Sequence, residues 1–274
     1  MAHTLQERYS QLVDKKLRQT LVTKDNLIFN TRYEGNAKSG VVKIPVRDTE
    51  VSVRDYNKTS GLSLEGGTTT YLSLALNKDV AVNELIDGFE AQAVPDNIVA
   101  DRIESAGYSL GLKIDKDSLT CLETGGTKWG TTTATDKTNA YDLFMKARTQ
   151  LSKNGVSKDG RFAIVSPEIL EVLMQDSNFI KEGDLSQELV MQGVVGRVGG
   201  FNVFESCNMG ANTEVIFGHS DFCHRVEEWS VPVKVQDLGG SGTFIGASAV
   251  QGRKVYGVLV SKAKAVLVKS KGGA

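Results

Sequence analysis

The sequence has only three cysteines in 274 residues, Cys121, Cys207 and Cys223, and none forms a CxxC pair. That number and spacing argue against a secreted disulfide framework and point to reduced thiols in a cytoplasmic setting. A charge of one sign is also lacking. With 32 Lys+Arg against 33 Asp+Glu the formal net charge is −1, so no overall field draws the chain to nucleic acid or anionic lipid. No run of about 18 uninterrupted apolar residues exists, so no membrane span is expected. The first residues mix charges with isolated apolar side chains and lack the apolar core of a signal peptide. No internal repeat is visible. What is there is 40 % hydrophobic, enough for a core without staples.

Catalytic signatures are scarce too. Gly239-Gly240-Ser241-Gly242 lacks a Walker lysine and a following helix, and reads as a turn between strands. Cys207, His219, Cys223 and His224 are the only soft-ligand group, in no paired zinc spacing. Cys223 and His224 are sequence neighbours, and adjacent strand residues face opposite ways, which suits them poorly as nucleophile and base. The carboxylate pairs Glu227-Glu228, Asp101 with Glu104, and Asp115 with Asp117 read as solvated faces. Basic residues gather at Lys15, Lys16, Arg18 and Lys24 and again at Lys262, Lys264, Lys269 and Lys271. They read as solvated element ends, or as local contacts to DNA or an acidic partner.

Periodicity gives the architecture. Leu5, Tyr9, Leu12, Val13, Leu17 and Leu21 recur at spacings of three and four, predicting an amphipathic helix over about 5–22. Val42, Ile44, Val46, Val51 and Val53 alternate as a strand, and alternation returns at Leu72, Leu74, Leu76, Val80, Val82 and Ile86. The two runs flank a Gly- and Thr-rich tip and predict one long hairpin, an arm that needs a covering surface because isolated hairpins are marginal. After Pro95, the stripe Val99, Ile103, Ala106, Leu110, Ile114, Cys121 and Leu122 predicts a helix over 97–123, about 40 Å long. Gly107 and Gly111 within it read as tolerated glycines. A Gly/Thr-rich linker at 125–137 is the expected domain boundary.

Beyond it the pattern predicts a helix over 139–153 burying Leu143, Phe144, Ala147 and Leu151, and a strand over 162–165. A second helix, capped by Ser166 and opened by Pro167, buries Leu170, Leu173 and Met174. Strands follow around Gly199-Gly200, at 215–217, at Val226, Val233 and Val235, at 255–260 and at 265–268.

This order, with the strings KIPVRDTEVSVRDY, NKDVAVNELIDGFEAQAVPDNIVADRIESAGYSL, FCHRVEEW and GASAVQGRKVYGVLVSKAKAVLV, resembles the major capsid proteins of tailed phages of the Hong Kong 97 type over nearly the whole chain. The resemblance implies an α+β fold with an N-arm at 1–30, an E-loop hairpin at 31–77, a P-domain at 78–137 containing the spine helix, an α/β A-domain at 138–220, and C-terminal P-domain strands at 221–274. It implies a structural subunit with no catalytic residue, metal or cofactor. Its partners would be copies of itself in pentamers and hexamers, a separate scaffolding protein, a portal protein and, weakly, packaged double-stranded DNA. Assembly would take place in the host cytoplasm. Leu5, Tyr9, Leu12, Leu17, Val42, Ile44, Val46, Val51, Val53, Leu72 and Leu74 would touch neighbouring subunits. Two other readings stay open: a bacterial nanocompartment shell of the same fold, resembling encapsulins, and a metal-dependent α/β enzyme built on the Cys/His group.

Overall fold

The computed structural model describes residues 16–24, 26–33, 40–47, 50–87, 98–130, 134–175, 194–239 and 246–271. Three sheets and three α-helices organise them. A six-stranded sheet has the order β4 (Thr127–Lys128), β11 (Leu267–Ser270), β8 (Thr213–His219), β5 (Arg161–Val165), β7 (Phe201–Glu205) and β6 (Val194–Val198). The β4/β11 and β5/β7 pairs are parallel and the rest antiparallel. All five residues of β5 are buried, and their alternation serves both faces. Ala163 and Val165 point into one apolar cluster, Phe162 and Ile164 into another.

The first cluster lies under α2 (Ala140–Lys153) and α3 (Pro167–Gln175), where Phe144, Phe201 and Phe217 pack edge-on or tilted around each other. Leu143, Phe144, Ala147 and Leu151 are the buried face of α2, at the spacing the sequence predicts. Ser166 Oγ accepts from the Ile169 amide at 3.4 Å and opens α3. Met174, expected inside, is 44 % exposed: Leu170 and Leu173 already fill the contact. The second cluster covers the other face with Leu119 and Leu122 of α1 (Ile98–Gly125) and with Ile28 and Phe29. The linker predicted at 125–137 contains β4, so the sheet draws on segments either side of it.

A three-stranded antiparallel sheet, β3 (Lys78–Ile86), β10 (Ser248–Val260) and β9 (Cys223–Asp237), lies against the first half of α1. Ile86, Ala106 and Val250 are buried there, with Val82, Val99, Ile103 and Val233 around them. Gly239 of the predicted turn lies just past β9, and residues 240–242 fall outside the described residues.

The hairpin differs from expectation. Only β1 (Val41–Arg47) and β2 (Thr69–Ala75) pair, and the second half of the return run leaves at Leu76 and Asn77 to become β3, an edge strand on β10. Gly257 makes this junction possible. A Cβ there would lie 2.3 Å from the Ala75 carbonyl oxygen, so only glycine lets β2 run this close to β10. The base of the hairpin is core: Ile44 and Leu74 are 2 % and 0 % exposed, packed with Leu76 and Val226.

Candidate assembly surfaces

Residues 16–24 are not helical, which corrects the helix predicted through residue 22 for this part of it; residues 1–15, with Leu5, Tyr9 and Leu12, lie outside the described residues. Instead an extended strap runs along α1. Lys16 Nζ lies 3.1 Å from Asp101, Arg18 pairs with Glu104 and sits 5.3 Å from the Tyr108 ring centre, and the Gln19 amide donates to the Tyr108 hydroxyl at 2.8 Å. Leu21 lies over Gly111, where a Cβ would stand 2.8 Å from its Cδ1, so this glycine marks close packing while Gly107 faces open space. Thr23 donates from its amide and its hydroxyl to Asp115 Oδ1, at 2.9 and 2.8 Å.

The helix partners are thus 101, 104, 108, 111 and 115, spaced three and four apart on one stripe. Fourteen helical residues rise about 21 Å, and seven extended residues span about 23 Å, so the two periods keep step. The strap meets the stripe with side chains and backbone alike.

The inner end of the strap is the firm one. Asp115, only 1 % exposed, also accepts from Asn208 Nδ2 at 2.9 Å, which contradicts the solvated reading of this carboxylate. Arg225 of β9 donates to the Thr23 and Lys24 carbonyls, and its Nε stands 3.1 Å from Glu227 at an angle outside hydrogen bonding. Asp117, two residues on, accepts from the buried Tyr256 hydroxyl at 2.6 Å. Desolvation works to raise the Asp117 carboxyl, but the hydrogen bonds from Tyr256 and Lys113 outweigh it and hold it below the usual range. The Tyr256 hydroxyl is pushed up by burial and by that bond.

The next segment docks through Asn30, whose backbone bonds Cys223 and Arg225 and whose side chain reaches Ser220 and His224. Burial lowers the His224 pKa, with Arg32 adding to the effect against Asp221. Well above about pH 6.5 the ring is neutral folded or unfolded, and pH has no effect through it. Below that, the unfolded chain takes up a proton that the folded chain resists, so stability falls with pH. We expect the urea midpoint of the subunit to drop between pH 7 and pH 5, and His224→Gln to flatten that slope; an unchanged slope would remove His224 as its cause.

The residues expected at inter-subunit contacts therefore divide. Ile44 and Leu74 belong to the chain's own core, and Val42, Val46 and Leu72 are half-buried around them. Val51, Val53 and Leu17 are exposed, joined by Tyr56, Leu62, Leu64 and Tyr71, which the alternation did not single out. The Cys/His residues are scattered in role. Cys207 is exposed, burial pushes the Cys223 thiol up, and His224 serves Asn30. His219 accepts from the Asp221 amide at 3.1 Å. Of the basic residues, Lys16 and Arg18 pair with α1, Lys269 with Glu214, and Lys271 with Glu168.

On this α+β subunit an apolar hairpin tip stands exposed, and among the described residues no group of three or more His, Cys, Asp or Glu side chains is placed to hold a metal ion. The family model for phage capsid proteins matches residues 89–269. The chain belongs to the phage capsid protein family, and it is a capsid subunit that assembles with copies of itself into the phage head. No curated protein matches the sequence. Among solved structures, one described as Mycobacterium phage Che8 is 22 % identical, with a TM-score of 0.75 over 98 % of each chain. The capsid structure of the cyanophage P-SCSP1u is 10 % identical, with a TM-score of 0.74 over 98 % of this chain and 93 % of that one. The mature capsid of bacteriophage PhiM1 gives 14 %, 0.73, 99 % and 93 %. At these identities they speak for the fold.

Proposed function

We propose that this capsid subunit builds the head of a tailed phage by laying its hairpin tip, and the chain preceding residue 16, on neighbouring copies. The observation that carries this reading is the tip itself: Val53 and Leu64 are 97 % and 102 % exposed, a surface that a solitary soluble molecule has no reason to display. In the terms of the resemblance, the strap is the N-arm, the β1/β2 hairpin the E-loop, α1 the spine helix, the three-stranded sheet the P-domain, and the lobe around α2 and α3 the A-domain. Head-to-tail contacts repeated around five-fold and six-fold positions close a shell, and many modest contacts sum to a stable particle.

A scaffolding protein and a portal protein are the expected assembly partners, the host cytoplasm the expected place, and double-stranded DNA the expected content, held by weak non-specific contact. Lys24, Lys262 and Lys264, exposed and in no salt bridge among the described residues, fit that last role better than their paired neighbours. We assign the chain no catalytic role: a protonated Cys223 and a committed His224 favour structure over chemistry. The full chain, expressed in bacteria, is expected to give closed shells by electron microscopy. Purely monomeric protein at high concentration, with or without a co-expressed scaffolding protein, would sink this reading.

A further inference from the structure

The two edges of the three-stranded sheet are not alike. β9 carries Pro232 and two register shifts against β10, devices that make an edge a poor template for another strand. β3 has neither: its nine residues run in unbroken register with β10, and among the described residues its outer edge is covered where Arg102 donates to the Leu85 carbonyl at 3.0 Å. From Lys78 to Asn83 the edge is open among the described residues.

The same chain holds a segment built as a strand but left without one. Residues 50–55, Glu-Val-Ser-Val-Arg-Asp, alternate like β1, yet the ladder stops at Arg47 and Thr69. Continuing the β1/β2 register explains why. It would set Val51 against Glu65, Ser52 against Leu64, Val53 against Ser63 and Arg54 against Leu62, apolar opposite polar at every step. Side chains tie the two sides of the tip, Glu65 holding Ser52 and Arg54, and the backbone bridge between Asn57 and Gly61 closes its end.

We infer that residues 50–55 of one subunit add as an antiparallel strand to the open edge of β3, residues 78–83, in a second copy. This register sets Val51 against Val82 and Val53 against Val80. It sets Arg54 beside the Asp79 carboxylate, which Arg253 of β10 already holds at 2.9 Å, and Asp55 against Lys78. Directly opposed residues share a face, so the two valines extend the apolar stripe that Val82 already presents toward α1, and Asp55 meets Lys78 with opposite charge. Asp55 and Lys78 are both exposed and form no salt bridge within the chain among the described residues.

The strand must come from another copy. Ala75 lies against Gly257 and Lys78 pairs with Tyr256, so β3 continues along β10 away from β2, and the tip starts some 20 Å back at the far end of β2. Self-assembly supplies that second copy. The inference rests on the reading that the tip lies on a neighbour, and it names the place where the tip docks.

Charge exchange tests it. In the full chain, Asp55→Lys and Lys78→Glu each oppose like charges across the new pair and should raise the concentration for half-assembly by about fivefold or more. The double variant restores an opposite pair and should return to within about twofold of the unchanged chain. Single variants that assemble normally, or a double variant as poor as the singles, would overturn this docking while the shell reading stands. If the unchanged chain forms no shells, both fall together.

Discussion

Leu74→Ala is expected to destabilise the isolated subunit by about 2–5 kcal/mol, and Leu74→Asp by more, read as a fall in the urea midpoint. Leu74 is fully buried, packs with Ile44, Leu76 and Val226, and reaches over Gly257. A charge in that position has no partner within the cluster. Val53→Asp, on the same hairpin but fully in solvent, should change subunit stability by no more than about 0.5 kcal/mol and act on assembly instead. The sequence reading gives Leu74 and Val53 the same role, contact with a neighbouring subunit. A Leu74 variant with normal subunit stability and failed assembly would put the base of the hairpin back on a neighbouring copy.

The reason the sequence could not separate them lies in what alternation reports. A period of two says that one face of a strand is apolar and nothing about what covers it. Ile44 and Leu74 find β9 and β10, brought close by the bare Gly257, while Val51 and Val53 lie past the end of the ladder. Where cover and pattern came from the same local stretch, reading was easy. The buried face of α2, its stop at Asn154 and Gly155, the Ser166-Pro167 start of α3 and the extent of α1 all follow from neighbours within four residues.

The strap was legible only in part, for a physical reason. Leu17 and Leu21 fit a helical stripe, but Lys16, Arg18, Leu21 and Thr23 also fit an extended chain, and the choice is made by α1, about 90 residues away. The stripe it uses, Asp101, Glu104, Tyr108, Gly111 and Asp115, has heptad-like spacing but no apolar run, so it reads as a wetted face. The spacing was the available signal. Gly111, one turn past Tyr108 on that stripe, leaves the space that the Leu21 side chain occupies.

The second large effect is expected at Lys269→Met. Lys269 on β11 and Glu214 on β8 form an ion pair at 3 % and 7 % exposure, and Thr135 donates to the same carboxylate oxygen at 2.7 Å. Taking the ammonium away leaves a buried carboxylate deprived of its counter-ion, which costs about 3–5 kcal/mol. Lys271→Met, two residues on and facing an exposed Glu168 at 3.0 Å, should cost about 0.5 kcal/mol or less, because water and salt already screen that pair. Replacing both buried partners, Lys269→Met with Glu214→Leu, removes the stranded charge and should recover most of the loss. The pair fastens the C-terminal strand to the centre of the six-stranded sheet, so its loss should first free β11, read as faster amide exchange at Leu267 and Val268 than at Ile164. Equal protection of the two strands in Lys269→Met would mean that β11 is held by its apolar side chains alone, and that the ion pair contributes position without stability.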